Sequence, residues 1–498
     1  MKTSTTRRCA GAEASAHGRQ RLLYVALIAG SGALACADEP AAGPPLAVIE
    51  GCEAENYAAC DVLDASCQER VFAAIACLRQ MPDATQPEVR VITRDEYEAL
   101  LSAPPMEEAS TDTEGSDTQD SDTEGSPAQT DEESAAESAS VERALVLLGL
   151  AQPADLSAES VVALYSETVP GYFSNDDGFV TLIDDPEDPS NPGDDTLLLA
   201  HEFLHALQNQ EFDLGAAAAD DATFDRYLAT ISVIEGEAAM FQGFFGAAMW
   251  QLGGDIDFRS HYTAWIPNAE DVFADQSPLL VGPRYFPYSY GARFVYELYE
   301  QGGVAAIREL YSNFPSSVLP MLPSDGSSGA LIDAEVESLD TLLAPAPATN
   351  FRLVSEDSLG PWVFGKFLQR SLSQFAFDEL ASHWRGDRFF VYAREASVTG
   401  VWAVQLDDVA RADQLRAMVD GGGNVNLAEG AFGVVAGRNV AITVTDDGSL
   451  DAEWLSNVAA AQQSATGAPP DDSMAAGARL SSAERQRLIH RLEQPWRD

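Results

Sequence analysis

Apolar residues recur at helical spacing along several stretches of the chain. The most continuous apolar run, 197–200, directly precedes His201 and predicts a deeply buried helix that begins at Leu197. Asp195 or Thr196 can serve as its N-cap. Further helices are predicted at about 60–80, 94–101, 141–150, 222–249, 290–303, 304–311, 362–372 and 409–419.

Shorter runs of β-branched and aromatic residues predict strands. Two of them, at 171–173 and 179–183, flank a turn that ends in Asp-Gly, which is a strong hairpin signal. Others lie at 89–92, 388–392, 401–405, 432–436 and 439–444. This order of helices and short strands predicts an α+β fold with a small antiparallel sheet, in which the strand 179–183 lies at an edge.

Composition limits the partners that the protein can have. The chain has 498 residues, a formal net charge of −50 and a pI near 4.1. Nucleic acids and anionic membrane surfaces would repel such a chain, which argues against both as binding partners and leaves the membrane only as the site of a lipid anchor. Part of the acidity lies in residues 102–140, which contain no Lys or Arg. That segment cannot bury a core and predicts a disordered acidic insertion.

Pattern and composition together divide the chain into successive segments. The predicted order is a signal peptide (1–35), a tether (36–50), a disulfide-stapled helical region with a strand (51–101), the acidic insertion (102–140), a catalytic domain (141–314), a loop (315–350), a C-terminal α+β part of the same fold (351–446) and a largely disordered tail (447–498).

The N-terminus has the anatomy of an export signal. Basic residues are followed by a short apolar stretch and then by small residues that lead to Cys36. The small residues before this cysteine resemble a bacterial lipobox, in which the cysteine is lipidated and becomes the mature N-terminus. The resemblance implies a protein anchored by lipid to the bacterial cell envelope, on the outer membrane. Secretion after cleavage nearby is the alternative.

Four cysteines lie close together after the tether, namely Cys52, Cys60, Cys67 and Cys77. An even set in an exported chain predicts two disulfides, and the sequence leaves three pairings open. A zinc site made of four cysteines is the rival interpretation. Such a site usually contains close Cys-x-x-Cys pairs, and none is present here.

The run His201-Glu202-Phe203-Leu204-His205 carries the strongest chemical signal in the chain. Histidines at i and i+4 project from one face of a helix, a spacing that suits two ligands of a tetrahedral zinc ion. Glu202 is offset around the helix by roughly 100°. It is therefore placed to act as general base on a zinc-activated water rather than as a ligand.

A third ligand is needed, and the downstream candidates are Glu235, Glu237, His261 and His383. Both glutamates lie in a strongly apolar predicted helix, where a carboxylate is costly unless it binds a cation. The run Glu235-Gly236-x-Ala resembles the third-ligand segment of gluzincins of the aminopeptidase-N type, in which the first glutamate binds zinc. The resemblance implies Glu235 as ligand, and leaves Glu237 to support the ligands or to line a substrate subsite.

The segment Pro287-Tyr288-Ser289-Tyr290-Gly291 resembles the tyrosine-containing run of the same gluzincins. That resemblance implies that Tyr288 donates a hydrogen bond to the tetrahedral intermediate. Packing of both tyrosines in the core is the alternative, and Arg293 is a weaker candidate for the same role. The Gly-x-Met-Glu-Asn motif that grips a substrate amino terminus in aminopeptidases is absent, so exopeptidase specificity is not implied.

A longer resemblance covers roughly residues 89–444 without the insertion. The run from His201 to Leu214 is similar to the signature of a poorly characterised group of exported bacterial HExxH proteins, many of them lipoproteins. Asn209 stands where that group has aspartate, and could support the ligands by a hydrogen bond without charge. The resemblance implies a gluzincin-like peptidase fold, with one zinc ion per chain.

We therefore expect a zinc metallopeptidase, most simply an endopeptidase, that acts on peptides or proteins. A peptide could align on the edge strand by β-addition. The alternative from another class is a non-catalytic, metal-binding surface lipoprotein with a structural or interaction role.

Overall fold

A computed structural model describes residues 56–102, 131–153, 169–175, 177–185, 191–212, 223–252, 256–272, 276–322, 350–420 and 431–446, together with isolated positions between them. The predicted signal peptide, the tether with Cys36, most of the acidic insertion and nearly all of the C-terminal tail lie outside the described residues. Within the described part, helices and strands are mixed, which confirms the α+β class.

Helices form the larger part of the described fold. The α-helices are α1 (Ala65–Leu78), α2 (Arg94–Ser102), α3 (Asp131–Leu147), α4 (Pro192–Glu211), α5 (Phe224–Met249), α6 (Phe258–Val272), α7 (Pro278–Phe286), α8 (Ala292–Ser312), α9 (Gly360–Phe367), α10 (Gln374–Leu380) and α11 (Val409–Asp420). Two π-helical segments, Pro287–Gly291 and Leu368–Leu372, continue α7 and α9.

The strands form two sheets rather than one. They are β1 (Glu88–Thr93), β2 (Gly171–Phe173), β3 (Phe179–Asp184), β4 (Arg352–Asp357), β5 (Trp384–Arg394), β6 (Ser397–Leu406), β7 (Phe432–Ala436) and β8 (Asn439–Thr445). The first sheet has the order β1-β3-β2 and the second has the order β4-β5-β6-β8-β7.

The three-stranded sheet corrects the predicted edge strand. β2 and β3 form the expected antiparallel hairpin, but β1 pairs with β3 in parallel, so the sheet is mixed and β3 lies at its centre. The prediction that 179–183 forms an edge was wrong, because the sequence did not show that β1 pairs with β3. β2 is therefore an outer strand of this sheet.

The five-stranded sheet is antiparallel throughout. Its central strands are almost fully buried, as the long apolar runs predict. β4 was not predicted, since its sequence Arg-Leu-Val-Ser-Glu-Asp is mostly polar and half-exposed. Arg388 on β5 forms an ion pair with Glu356 on β4, while Asp387 accepts backbone hydrogen bonds from Leu359 and Gly360 at the start of α9.

Helix α4 begins five residues before the predicted start. The side chain of Asn191 is its N-cap and accepts hydrogen bonds from the backbone of Gly193 (3.0 Å) and Asp194 (3.1 Å). Pro192 occupies the first turn, where a missing N–H costs nothing. The predicted N-cap at Asp195 or Thr196 is therefore wrong, because both residues lie inside the helix.

Helix α3 also begins earlier than predicted, at Asp131 rather than at 141. The last ten residues assigned to the acidic insertion are therefore helical. Glu137 on this helix is buried and paired with Arg352 of β4. The prediction of disorder is therefore wrong for these ten residues, and one of their acidic side chains is paired with an arginine distant in sequence.

The two predicted disulfides are confirmed, and they pair Cys52 with Cys77 and Cys60 with Cys67. The four-cysteine zinc site is thereby excluded. The stapled segment packs against α4, where Phe72 meets Phe203 edge to face at a centroid distance of 5.4 Å. The backbone N–H of Cys60 also donates to Thr196 Oγ1 at 3.1 Å.

Helix α5 follows the predicted 222–249 helix closely and is capped by Thr223. It passes against the π-helical segment at Gly236 and Gly291. A Cβ atom on Gly236 would lie only 2.5 Å from the carbonyl carbon of Gly291. The two glycines therefore permit a direct backbone contact between these elements. Among the described residues, no helix is both long and apolar enough to cross a membrane.

Candidate metal centre

The HExxH run lies in the middle of α4, on its buried part. His201, Glu202 and His205 are exposed to only 2%, 3% and 1% respectively. The apolar run before them and the cap at Asn191 fix the position of this helix in the core. The helix therefore buries three ionisable side chains in its most apolar stretch, an arrangement that needs compensating partners.

Glu235 supplies that partner from α5. Its Oε2 atom lies 3.1 Å from His201 Nε2 and 3.4 Å from His205 Nε2, and the two histidine Nε2 atoms are 3.1 Å apart. Ligand atoms bound at about 2.0–2.1 Å to a tetrahedral ion lie about 3.4 Å from one another. The three atoms thus converge at a spacing that fits a small divalent metal ion, and Glu235 is itself buried.

Electrostatic coupling within this group is strong. Burial alone would lower the pKa of His205, but the Glu235 carboxylate raises it to about 9. Burial alone would raise the pKa of Glu235, but the two histidines hold it well below its ordinary value. Without a metal ion, the Glu235 carboxylate therefore favours a proton on His205, and a metal ion that binds this group would take the place of that proton.

Glu202 points into the same region without belonging to the three-atom group. It accepts a hydrogen bond from the backbone of Phe173 at the end of β2, whereas its Oε2 atom has no hydrogen-bond partner among the described residues. Burial raises the pKa of Glu202, against the opposing charges of His201 and His205. A buried carboxylate oxygen without a partner is rare, and such an atom calls for a ligand, an ion or a water.

Gln208 contacts the Nδ1 atom of His205, the ring nitrogen that does not face Glu235. Its Oε1 atom lies 2.7 Å from His205 Nδ1, and its Nε2 atom donates to Ile234 O and to Glu237 Oε2, each at 2.9 Å. Glu237 does not reach the three-atom group. It accepts hydrogen bonds from Gln208, Arg79 and Tyr311, so the supporting role predicted for it runs through Gln208.

Tyr288 lies beside His201, with a ring-centroid distance of 5.9 Å, and is carried by the π-helical segment. Segments of this kind are rare and are frequent at functional sites. The neighbouring Tyr290 instead stacks on Phe286 in the core at 4.5 Å. Of the two tyrosines, the structure thus places Tyr288, which the resemblance favours, beside the metal group, and Tyr290 away from it.

The other candidates lie elsewhere. Asn209 hydrogen-bonds Asn175 O and the backbone N–H of Leu214, both at 3.3 Å, so it secures two neighbouring loops. His261 accepts from Trp265 Nε1 at 3.4 Å within an aromatic cluster. Arg293 donates to Met321 O at 2.8 Å.

His383 belongs to a second, partly exposed group with Asp407 and Asp408. Its Nδ1 atom lies 2.8 Å from Asp407 Oδ2, and Arg385 donates to the same oxygen at 3.1 Å. An arginine already neutralises this carboxylate, which makes the group a poorer cation site than the buried one.

Sequence reasoning missed Gln208, Arg79 and Phe173. Gln208 could have been found, because it lies three residues after His205 and so on the same face of the helix. Arg79 and Phe173 reach the site only through tertiary structure, and no local pattern marks them.

Comparison of the chain with known protein families, with characterised proteins and with solved structures finds no match.

Proposed function

We propose that this protein is a zinc-dependent peptidase, and that His201, His205 and Glu235 hold the metal. The observation that carries the proposal is the convergence of their three ligand atoms next to the unpartnered oxygen of Glu202. Two histidines and a carboxylate are a ligand set common to catalytic zinc sites, in which a fourth position stays open.

A bound zinc ion would supply Lewis acidity and make a water acidic enough to react at neutral pH. The chain itself would then handle the proton. Glu202, held on one oxygen by Phe173, would accept the proton of the attacking water on its other oxygen and deliver it to the leaving amine. Tyr288 would donate to the oxygen that becomes negative as water attacks, which its position beside His201 supports.

An extended peptide would lie along β2. This strand is an outer strand of its sheet, and its Phe173 N–H already donates towards Glu202. Backbone pairing at that edge would bring a peptide bond next to the metal group without requiring one side chain in particular. The proposed substrate is therefore a peptide or protein cleaved internally, by a protein held on the cell envelope through Cys36.

The alternative is a metal-binding surface lipoprotein without catalysis. The deep burial of the three ligands favours it, since structural sites are closed to solvent. Glu202 favours the enzyme, because a structural site has no use for an unpartnered carboxylate beside the ligands.

A cavity of about 540 Å³ lies at the end of α8, and none of its lining residues belongs to the metal group, so this cavity does not bear on the choice between the two functions.

Metal content and peptide cleavage test the proposal together. The wild-type protein is expected to hold one zinc ion and to cleave members of a broad peptide pool. Glu235→Ala is expected to lose most of the bound zinc and all cleavage. His383→Ala is the matched control, since it removes a histidine from the second group and is expected to keep zinc and cleavage. A wild-type protein without metal, or full zinc retention by Glu235→Ala, would contradict the assignment.

A further inference from the structure

A series of buried polar contacts connects the cystine-stapled segment, which is the disulfide-stapled region of residues 51–101, to His205. Arg79 follows α1 directly and lies two residues after Cys77, which the disulfide to Cys52 ties down. Its guanidinium is fully buried and bonds both oxygens of Glu237, with Nε at 2.9 Å and Nη2 at 3.3 Å. Glu237 is bonded to Gln208, and Gln208 in turn contacts His205.

The orientation of the Gln208 amide follows from its neighbours. Ile234 O and Glu237 Oε2 are both acceptors, so only the amide NH₂ group can face them. The amide oxygen must then face His205 Nδ1, at 2.7 Å. An oxygen in that place requires a proton on Nδ1, which leaves the Nε2 lone pair directed at Glu235 and His201.

Arg79 pairs with the Glu237 carboxylate and holds both of its oxygens by charge-assisted hydrogen bonds. The carboxylate is fully buried, and a lone buried charge of that kind is costly. Tyr311 completes its hydrogen bonds at 2.6 Å. Without Arg79, the Glu237 carboxylate would lose both hydrogen bonds that hold it in place, and the Gln208 amide would lose the fixed acceptor that orients it.

We propose that Gln208, Glu237 and Arg79 are positioning residues that fix the tautomer of His205, so that the cystine-stapled segment is part of the metal centre. This inference rests on the proposed metal site. It goes further in naming what presents the Nε2 atom of His205 to the metal. Partners of this kind behind a metal-binding histidine typically contribute 10- to 100-fold in affinity.

Zinc affinity tests the chain of contacts. Gln208→Met and Arg79→Met preserve much of the side-chain volume and remove the hydrogen bonds, and each is expected to weaken zinc binding about 10- to 100-fold in a chelator competition. Arg308→Met is the control, because Arg308 pairs with Glu211 in the same neighbourhood without touching Glu237. It is expected to keep wild-type affinity. Equal affinities for all three variants and the wild type would overturn the proposal.

The side-chain ¹⁵N spectrum of zinc-loaded wild-type protein gives a second readout that needs no variant. His205 is expected to carry its proton on Nδ1 and to bind zinc through Nε2. A proton on Nε2 with zinc on Nδ1 would refute the positioning role even if the variants do not fold. If the wild type binds no zinc at all, the proposed function fails and the positioning chain fails with it. Tight wild-type binding with unaffected variants removes only the positioning chain.

Discussion

The close backbone contact between Gly236 and Gly291 predicts that a side chain at position 236 disturbs both the stability of the fold and the metal centre. A Cβ atom at position 236 would meet three backbone atoms of the π-helical segment, at 2.5 Å from Gly291 C and at 2.8 Å from Gly291 O and Ala292 N. Backbone atoms cannot turn aside as a flexible side chain does. An ordinary contact begins near 3.4 Å, so Gly236→Ala requires α5 and this segment to separate by about 0.9 Å.

That displacement has two measurable consequences. Overpacking of this kind costs about 1–3 kcal/mol in free energy of unfolding, and alanine gains roughly 1 kcal/mol over glycine in a helix, which leaves a net loss of up to about 2 kcal/mol. The same movement displaces the neighbouring Glu235 relative to the two histidines. A misplacement of about 1 Å in catalytic geometry costs on the order of 100-fold in rate.

Gly246→Ala is the matched control on the same helix. The nearest atoms to its Cβ belong to the side chains of Leu197 and Trp250, at 3.1 and 3.4 Å, and these can adjust. Urea unfolding and zinc titration of both variants measure the difference. Gly236→Ala is expected to lose stability and zinc affinity, and Gly246→Ala to keep both. Equal behaviour of the two variants would refute the argument from backbone contact.

Two further predictions concern stability. Burial raises the pKa of Asp225 to about 7 from 3.8, so the folded state binds an extra proton between these values and this group's contribution to stability falls as pH rises through that window. Asparagine does not titrate, so Asp225→Asn should remove this pH dependence. The free energy of unfolding of the variant minus that of the wild type should rise by about 4 kcal/mol between pH 4 and pH 8. A difference that does not change with pH would contradict the burial argument. Replacing Cys52 and Cys77 by serine opens a loop with a sequence separation of 25 and should cost about 3.5 kcal/mol. An unchanged urea midpoint would show that the loop constraint contributes nothing.

Much of the fold could be predicted where local pattern and burial agree. The apolar positions of α5 specify a helix from one end to the other, and the predicted bounds differ from the observed ones by two residues at the start. The β2–β3 hairpin follows from its Asp-Gly turn. In both cases the local sequence pattern favours the same secondary structure as the tertiary environment, so tertiary contacts do not override the local preference.

Other features depend on partners distant in sequence. β4 is polar and becomes a strand only because β5 offers it an edge. β3 became a central strand because β1, from the stapled segment, pairs with it in parallel. The acidic start of α3 is compensated by Arg352. A reader of the sequence sees the composition of such segments, but not the partner that determines their structure.

The candidate site divides in the same way. His201 and His205 lie on adjacent turns of one helix, so their spacing in the sequence alone brings their side chains together. Glu235 required the fold to pack α5 against α4, and the sequence offered a resemblance as the reason to prefer it to Glu237. Arg79 was outside any local pattern, because it reaches Glu237 across 158 positions of sequence.

The most direct test of the central claim is the rate of peptide hydrolysis by Glu202→Gln and wild-type protein at equal zinc content. The substitution keeps the size of the side chain and an oxygen that can accept from Phe173, and it removes the negative charge and with it the ability to take up a proton. We predict unchanged zinc and a rate at least about 100-fold lower, as loss of a general base requires. Cleavage by the variant at the wild-type rate, or a zinc-loaded wild type that cleaves no peptide, would contradict the assignment of Glu202 as the base of a peptidase.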